Sequence, residues 1–229
     1  VPSLTEGLAG VIAVHLNGLT CDVPGLRRAR PGLRIVEDAA QAWGARYPDG
    51  SAVGLAADAC VFSFSAARWP NAGELGCLVT QRTSLHQRAV EMTQHPVRQL
   101  LTGTVAPKDD HLMTRVAPVV ALMGAYALQR HASQAPLLRR AGSRLATELT
   151  LADLDVLSDA AVHAPGVIAV KAHPTRVRAA VREISLGRGV TIASIDHARM
   201  HAHPEARVDA DLRRLARSIT TVTIAAHGR

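Results

Sequence analysis

The feature that most constrains the fold is a recurrent short apolar run in the first third of the chain. Residues 10–16 (GVIAVHL), 33–37 (LRIVE), 59–64 (ACVFSF) and 76–80 (GCLVT) are each only a few residues long and rich in Val, Ile and Leu. Runs of that length between turn-forming residues read as buried strands. Asn17-Gly18 closes the first run, and a helix is expected to follow over residues 22–30. Apolar strands that alternate with helices or loops build a largely parallel sheet, and ligand groups then gather at the strand ends.

The rest of the chain changes character twice. Residues 84–92 are amphipathic, and residues 116–130 carry apolar side chains over most of their surface, which predicts a buried helix with Pro118 in its first turn. A second helix is expected over residues 135–149, with a basic face and an apolar stripe of Leu137, Leu138, Leu145 and Leu149. From about residue 165 the pattern reads strand (166–171), helix (175–187), strand (190–195), a histidine-rich loop and a last helix from Asp209. The chain is therefore read as α/β, with a larger sheet domain over 1–115, a helical connector over 116–164 and a small α/β domain over 165–229. With 229 residues, 48% of them hydrophobic, it can bury a real core. Aromatics are only 3%, so that core is built from Ala, Val, Leu and Ile.

Charge narrows the partners. The net charge is +7 and nearly all of the positive charge is arginine, Lys108 and Lys171 being the only lysines. The arginines are spread along the helices (Arg139, Arg140, Arg144, Arg213, Arg214, Arg217) with few aromatics between them for base stacking, which argues against nucleic acid and leaves an anionic small molecule or an acidic protein. Cys21, Cys60 and Cys77 are odd in number and lack a C-x-x-C pair, so neither a disulfide framework nor a zinc site is expected and a reduced cytoplasm fits. Cys60 and Cys77 lie inside apolar strands, where thiols are expected to be buried and inert. No apolar run reaches the length of a membrane span, and no signal peptide is read before the first strand. His197, His201 and His203 lie close together, but no carboxylate stands at a convincing spacing, and no metal site is expected.

Two longer motifs carry a family resemblance. Residues 35–45, IVEDAAQAWGA, followed by residues 61–80, VFSFSAARWPNAGELGCLVT, resemble the DegT/DnrJ/StrS sugar aminotransferases. Those proteins carry a strand ending in E-D-A-A-Q-A-H-G-A, then F-S-F, the Schiff-base lysine, and a G-E-G-G turn. The upstream AVHLNG is similar to the family's P-V-H-L-Y-G strand, residues 113–130 to a later helix, and residues 200–204 to an L-H-L-Q-P segment. The resemblance implies a partial fold-type-I transferase domain that is shortened at its start, where the family grips the phosphate of pyridoxal phosphate.

Transamination needs a lysine for the imine, a carboxylate that keeps the pyridine nitrogen protonated, and a base for the α-proton. By resemblance Asp38 is that carboxylate, Gln41 reaches the phenolic oxygen and Ser63 touches the phosphate. The competing reading is that Glu37 and Asp38 only cap a following helix. Counting from F-S-F places Arg68 where the lysine stands. A guanidinium forms no stable imine with an aldehyde and does not shuttle protons near neutrality. Arg68 is left either as an anion-binding fork or as a plain surface arginine.

Three further departures follow from the same alignment. Asp110 falls on the asparagine with which relatives reach across their dimer, Trp43 replaces a histidine, and Leu75 replaces a glycine of the G-E-G-G turn. Loss of the phosphate loop, of the lysine and of the asparagine argues against a retained cofactor, either pyridoxal phosphate or its amine form. The expectation is a degenerate aminotransferase-like protein of bacterial sugar or secondary-metabolite biosynthesis. It would serve as an accessory subunit or with a repurposed cavity, as a homodimer or as a heteromer with a pathway enzyme. The alternative is a cofactor-dependent aminotransferase or dehydratase completed by a partner subunit. Loss of the first strands is also expected to leave an exposed sheet edge and an uncovered apolar face.

Overall fold

The computed structural model describes residues 8–66, 68–94, 103, 112, 114–185, 190–194 and 219–224. The chain divides into two compact units. The first takes Val1–His15, Cys21–Trp43 and Ser51–His131, and the second takes Leu16–Thr20, Gly44–Gly50 and Ala132–Arg229.

The first unit is built on a four-stranded sheet in the order β1 (Gly10–Val14), β2 (Arg34–Asp38), β3 (Ala59–Ser63), β4 (Gly76–Val79). β1, β2 and β3 run parallel, and β4 returns antiparallel to β3. All four strands fall on the apolar runs. Helix α1 (Val23–Ala29) joins β1 to β2 and is started by Asp22, whose carboxylate accepts the Gly25 N–H at 2.8 Å. Helix α2 (Thr83–Thr93) follows β4.

The register separates the two faces of this sheet. Ile35, Glu37, Cys60 and Phe62 lie on the buried face, whereas Ile12, Val14 and Leu78 on the other face are exposed. Among the described residues β1 pairs only with β2.

Helix α3 (Pro118–Leu151) replaces the two helices expected over 116–130 and 135–149 by one of 34 residues. Pro136 lies inside it and removes a single backbone donor without ending it. Pro118 takes its first position. The segment expected to be buried is not: in the first unit, Val119, Leu122, Met123 and Tyr126 are exposed.

The second unit holds another four-stranded sheet, in the order β5 (Asp155–Val156), β6 (Val167–Lys171), β8 (Ile219–Ile224), β7 (Val190–Ser194), with every neighbouring pair antiparallel. Helix α4 (Pro174–Ser185) packs there, and the core joins Leu145 and Leu149 of α3 to Leu154, Ile168, Val170, Val177 and Val181. Leu137, expected in that stripe, is exposed instead. Its position is turned about 100° from Leu138 on a 3.6-residue helix, and Leu138 takes the buried place.

β8 corrects the sequence reading of a last helix from Asp209. Its six residues, ITTVTI, are all β-branched, which favours a strand, and β8 is held between β6 and β7. Residues 209–218 lie outside the described residues.

Candidate functional site

The C-terminal ends of the parallel strands gather the predicted residues. Asp38 is the last residue of β2 and Ser63 the last of β3. The turn carrying Gln41 follows β2 directly, and the turn carrying Arg68 follows β3. All four are half-buried and lie in the first unit.

The helix-capping reading of Asp38 fails, because the residues after β2 form turns and not a helix. Asp38 Oδ1 instead accepts the Ala40 N–H at 3.1 Å and closes a local turn. The backbone around it is pinned from both sides: the His15 N–H donates to Asp38 O at 2.9 Å, and the Ala39 N–H to Val61 O at 2.9 Å. The Ser63 hydroxyl accepts the Ser65 N–H at 3.4 Å. Arg68 donates its backbone N–H to Ser65 O at 2.8 Å, and its Nε is buried with no hydrogen-bond partner among the described residues.

Behind Asp38 lies a pair that the sequence reading did not single out. His15 and Glu37 are fully buried, with His15 Nε2 3.1 Å from Glu37 Oε2. The same carboxylate oxygen accepts the Gly54 N–H at 2.7 Å. Gly54 has φ +100°, and a Cβ there would meet Phe62 and Cys60, so only glycine brings that N–H to Glu37 without strain. The available signal was Glu37 itself, a carboxylate two residues from Ile35 on the inward face of an apolar strand.

Trp43, the departure in the E-D-A-A-Q motif, also has a place. Its ring meets Phe62 and Phe64 edge-on at 4.8 and 5.0 Å, and its Nε1–H donates to His131 Nδ1 at 3.3 Å. The Gly73-Glu74-Leu75-Gly76 turn folds back on Phe64, whose N–H donates to Leu75 O at 2.7 Å. The Leu75 side chain sits over Gly124 of α3, in the space where a Cβ on residue 124 would fall.

The thiols divide. Burial, then the Glu37 carboxylate, pushes Cys60 up to about 12, so it is inert as expected. Cys77 is exposed, which corrects its expected burial. Among the described residues no three His, Cys, Asp or Glu side chains are placed to hold a metal. Asp110 and the histidines at 197, 201 and 203 lie outside the described residues.

A carboxylate that ends one parallel strand and an F-S-F turn that follows the next are what the resemblance to the fold-type-I pyridoxal-phosphate transferases implies. A profile of the DegT/DnrJ/EryC1/StrS aminotransferase family matches residues 3–185. The chain belongs to that family.

Among its relatives is an L-glutamine:2-deoxy-scyllo-inosose aminotransferase of Streptomyces fradiae, 40% identical over 106 residues, covering 45% of this chain and 24% of that protein. A dTDP-3-amino-3,4,6-trideoxy-alpha-D-glucose transaminase of Micromonospora megalomicea subsp. nigra is 41% identical over 81 residues, covering 34% of this chain and 21% of that protein. In solved structures the fold matches an aminotransferase of Psychrobacter cryohalolentis with a TM-score of 0.72 at 20% identity, over 97% of this chain and 65% of that one. It also matches the E. coli GDP-4-keto-6-deoxy-D-mannose-3-dehydratase with bound hydrated PLP, with a TM-score of 0.68 at 14% identity, over 98% of this chain and 64% of that one. The chain thus spans just under two thirds of the length of these solved relatives.

The family is pyridoxal-phosphate-dependent, and the residues present fit that cofactor only in part. Asp38, a half-buried carboxylate at the end of β2, has the chemistry to accept a pyridinium N–H. Arg68 does not fit covalent attachment, and no described residue of the first unit is a lysine. Among the described residues no helix is long and apolar enough to cross a membrane.

Proposed function

We propose that this chain is a sugar-aminotransferase-like protein that does not transaminate. Its strand-end site would bind an anionic small molecule, either as an accessory subunit or with a repurposed cavity in sugar or secondary-metabolite biosynthesis. The observation that carries the reading is Arg68: it follows F-S-F at the lysine's spacing, and its half-buried side chain has an Nε without a partner among the described residues. A planar fork in that setting suits a phosphate or carboxylate, whereas it offers no amine to an aldehyde. The names of the relatives support the biosynthetic setting.

The second reading is a cofactor enzyme, an aminotransferase or dehydratase, completed by a partner subunit. It is favoured by the survival of Asp38, Gln41 and Ser63 at the ends of adjacent strands.

Incubation of the purified chain with pyridoxal phosphate, borohydride reduction and peptide mass spectrometry separates the two. The expected result is no reduced adduct within residues 8–94, which contain no lysine, and no cofactor absorbance band. A stoichiometric, borohydride-sensitive band would overturn the non-transaminating reading. Arg68→Lys is expected to gain an adduct at residue 68 if Asp38 and Gln41 still form a site.

A further inference from the structure

The loop after β3 carries two orphaned donors on consecutive residues. The Arg68 Nε–H and the Trp69 Nε1–H are both buried and have no hydrogen-bond partner among the described residues. Neither group can accept a hydrogen bond, so each needs an oxygen brought to it. A buried donor left unpaired is destabilising, and two neighbours in that state point to an acceptor that belongs to the working molecule. The loop that carries them is pinned. The Ala72 N–H donates to Phe64 O at 2.8 Å across its base, and the Arg68 N–H to Ser65 O at 2.8 Å within it. Arg68 and Trp69 are half-buried between the exposed Ala66 and Asn71, so a ligand reaches them from solvent.

We infer that this loop is a subsite for an organic carboxylate, whose two oxygens take the Arg68 Nε–H and the Trp69 indole N–H. The inference rests on the reading of Arg68 as an anion-binding residue, and it adds the ligand's class and a second residue that holds it. Charge selects the class. Residues 59–76 contain one cation, Arg68, and one anion, Glu74. Asp38, which ends the strand paired with β3, adds another carboxylate to the same sheet. One guanidinium in that company balances a single negative charge, whereas a phosphate monoester brings nearly two, with three acceptor oxygens against two buried donors. The loop's fully buried side chains, Phe64, Pro70 and Ala72, are apolar. Low local polarity strengthens a charge-assisted hydrogen bond and penalises a second charge that has no partner.

Trp69 reports on its own occupancy. The chain has two tryptophans, so Trp43→Phe leaves Trp69 as the single indole fluorophore. Titration of that variant with propionate and with cyclohexanecarboxylate is expected to change Trp69 emission saturably, and inorganic phosphate and methyl phosphate are expected to bind about 10-fold more weakly. If Trp43→Phe does not fold, calorimetric titration of the chain with both tryptophans carries the same comparison. Arg68→Met is expected to weaken carboxylate binding about 100-fold and Trp69→Phe about 10-fold, the losses of a charged and of a neutral donor to a carboxylate.

Phosphates that bind as tightly as the carboxylates would overturn this inference and leave the anion-binding reading of Arg68 standing. Carboxylate binding that Arg68→Met abolishes and Trp69→Phe leaves unchanged would do the same. Binding of none of the four anions, or binding indifferent to Arg68→Met, would overturn both.

Discussion

His15 Nε2 lies 3.1 Å from Glu37 Oε2 where both side chains are fully buried, directly behind the strand end that carries Asp38. The Cys21 N–H donates to His15 Nδ1 at 3.1 Å, which occupies that lone pair and leaves the ring proton on Nε2 to face the carboxylate. Glu37 thus ties β1, β2 and the Gly54 loop together through one oxygen. Glu37→Ala is expected to lower unfolding free energy by about 3 kcal/mol, because it leaves the His15 Nε2–H and the Gly54 N–H buried without their acceptor. Glu37→Gln keeps an oxygen in place and should cost about half as much. Urea unfolding checks both, and equal stability of Glu37→Ala and wild type would refute the role.

Asp58 joins three elements at the other end of the sheet. Its carboxylate accepts the Ile35 N–H at 2.7 Å, pairs with Arg27 at 3.1 Å and also meets Arg82. Burial alone would raise its pKa, but the Ile35 N–H and the two guanidiniums together hold it below the ordinary carboxylate range. A lowered folded pKa means that the stabilisation is fully present above the unfolded value of about 3.9 and fades as pH falls through the folded one. Asp58→Asn is therefore expected to lower Tm at pH 7, with the difference from wild type shrinking below pH 4. Thermal scans at both pH values measure it.

How much of this was legible in the sequence depends on whether local pattern or tertiary contact decided each element. The four strands of the first sheet were readable because apolar runs between turn residues have few alternatives, whereas Asp38 and Ser63 were singled out by the family resemblance, since the runs themselves end at residues 37 and 64. The buried reading of 116–130 failed because apolarity records that a helix needs cover, not which surface supplies it. Ile219–Ile224 was drawn into a helix because the basic segment before it is helix-like, while its β-branching spoke for a strand. Glu37 was visible as a carboxylate on an inward position, but its partners His15 and Gly54 lie 22 and 17 residues away in the chain and meet it only through the sheet.

The cysteines give a test that needs no substitution. Cys60 is buried, with its thiol pushed up to about 12 by burial first and the Glu37 carboxylate second. Cys21 is half-buried, raised by the same two causes, and its Sγ–H donates to Val14 O at 2.9 Å. Cys77 is the exposed one. Thiol titration with an aromatic disulfide at pH 8 should label Cys77 first, Cys21 more slowly, and Cys60 only on denaturation. Prompt labelling of Cys60 in the native protein would contradict the burial of β3.

The last prediction concerns the second unit, where Arg139 is held by carbonyls. Its Nη1 donates to Ala160, Ala161 and His163 O at 2.6, 3.0 and 3.0 Å, and its Nη2 to Gly44 O at 2.6 Å. Lysine has one ammonium and cannot span both groups of acceptors, so Arg139→Lys is expected to cost about 2 kcal/mol. Faster amide exchange should follow in residues 44–50 and 158–164. His163 closes the same loop, its Nδ1 accepting the Asp159 N–H at 2.6 Å, which only an unprotonated nitrogen can do. Burial lowers its pKa and the Arg139 charge lowers it further, against the pull of Asp159. The unfolded chain then binds the proton at higher pH than the folded one, so this stabilisation is complete above about pH 6.5 and is lost as pH falls below it. His163→Gln should flatten the decline of Tm between pH 7 and pH 5 relative to wild type, and an unchanged slope would remove His163 from the acid response of this unit.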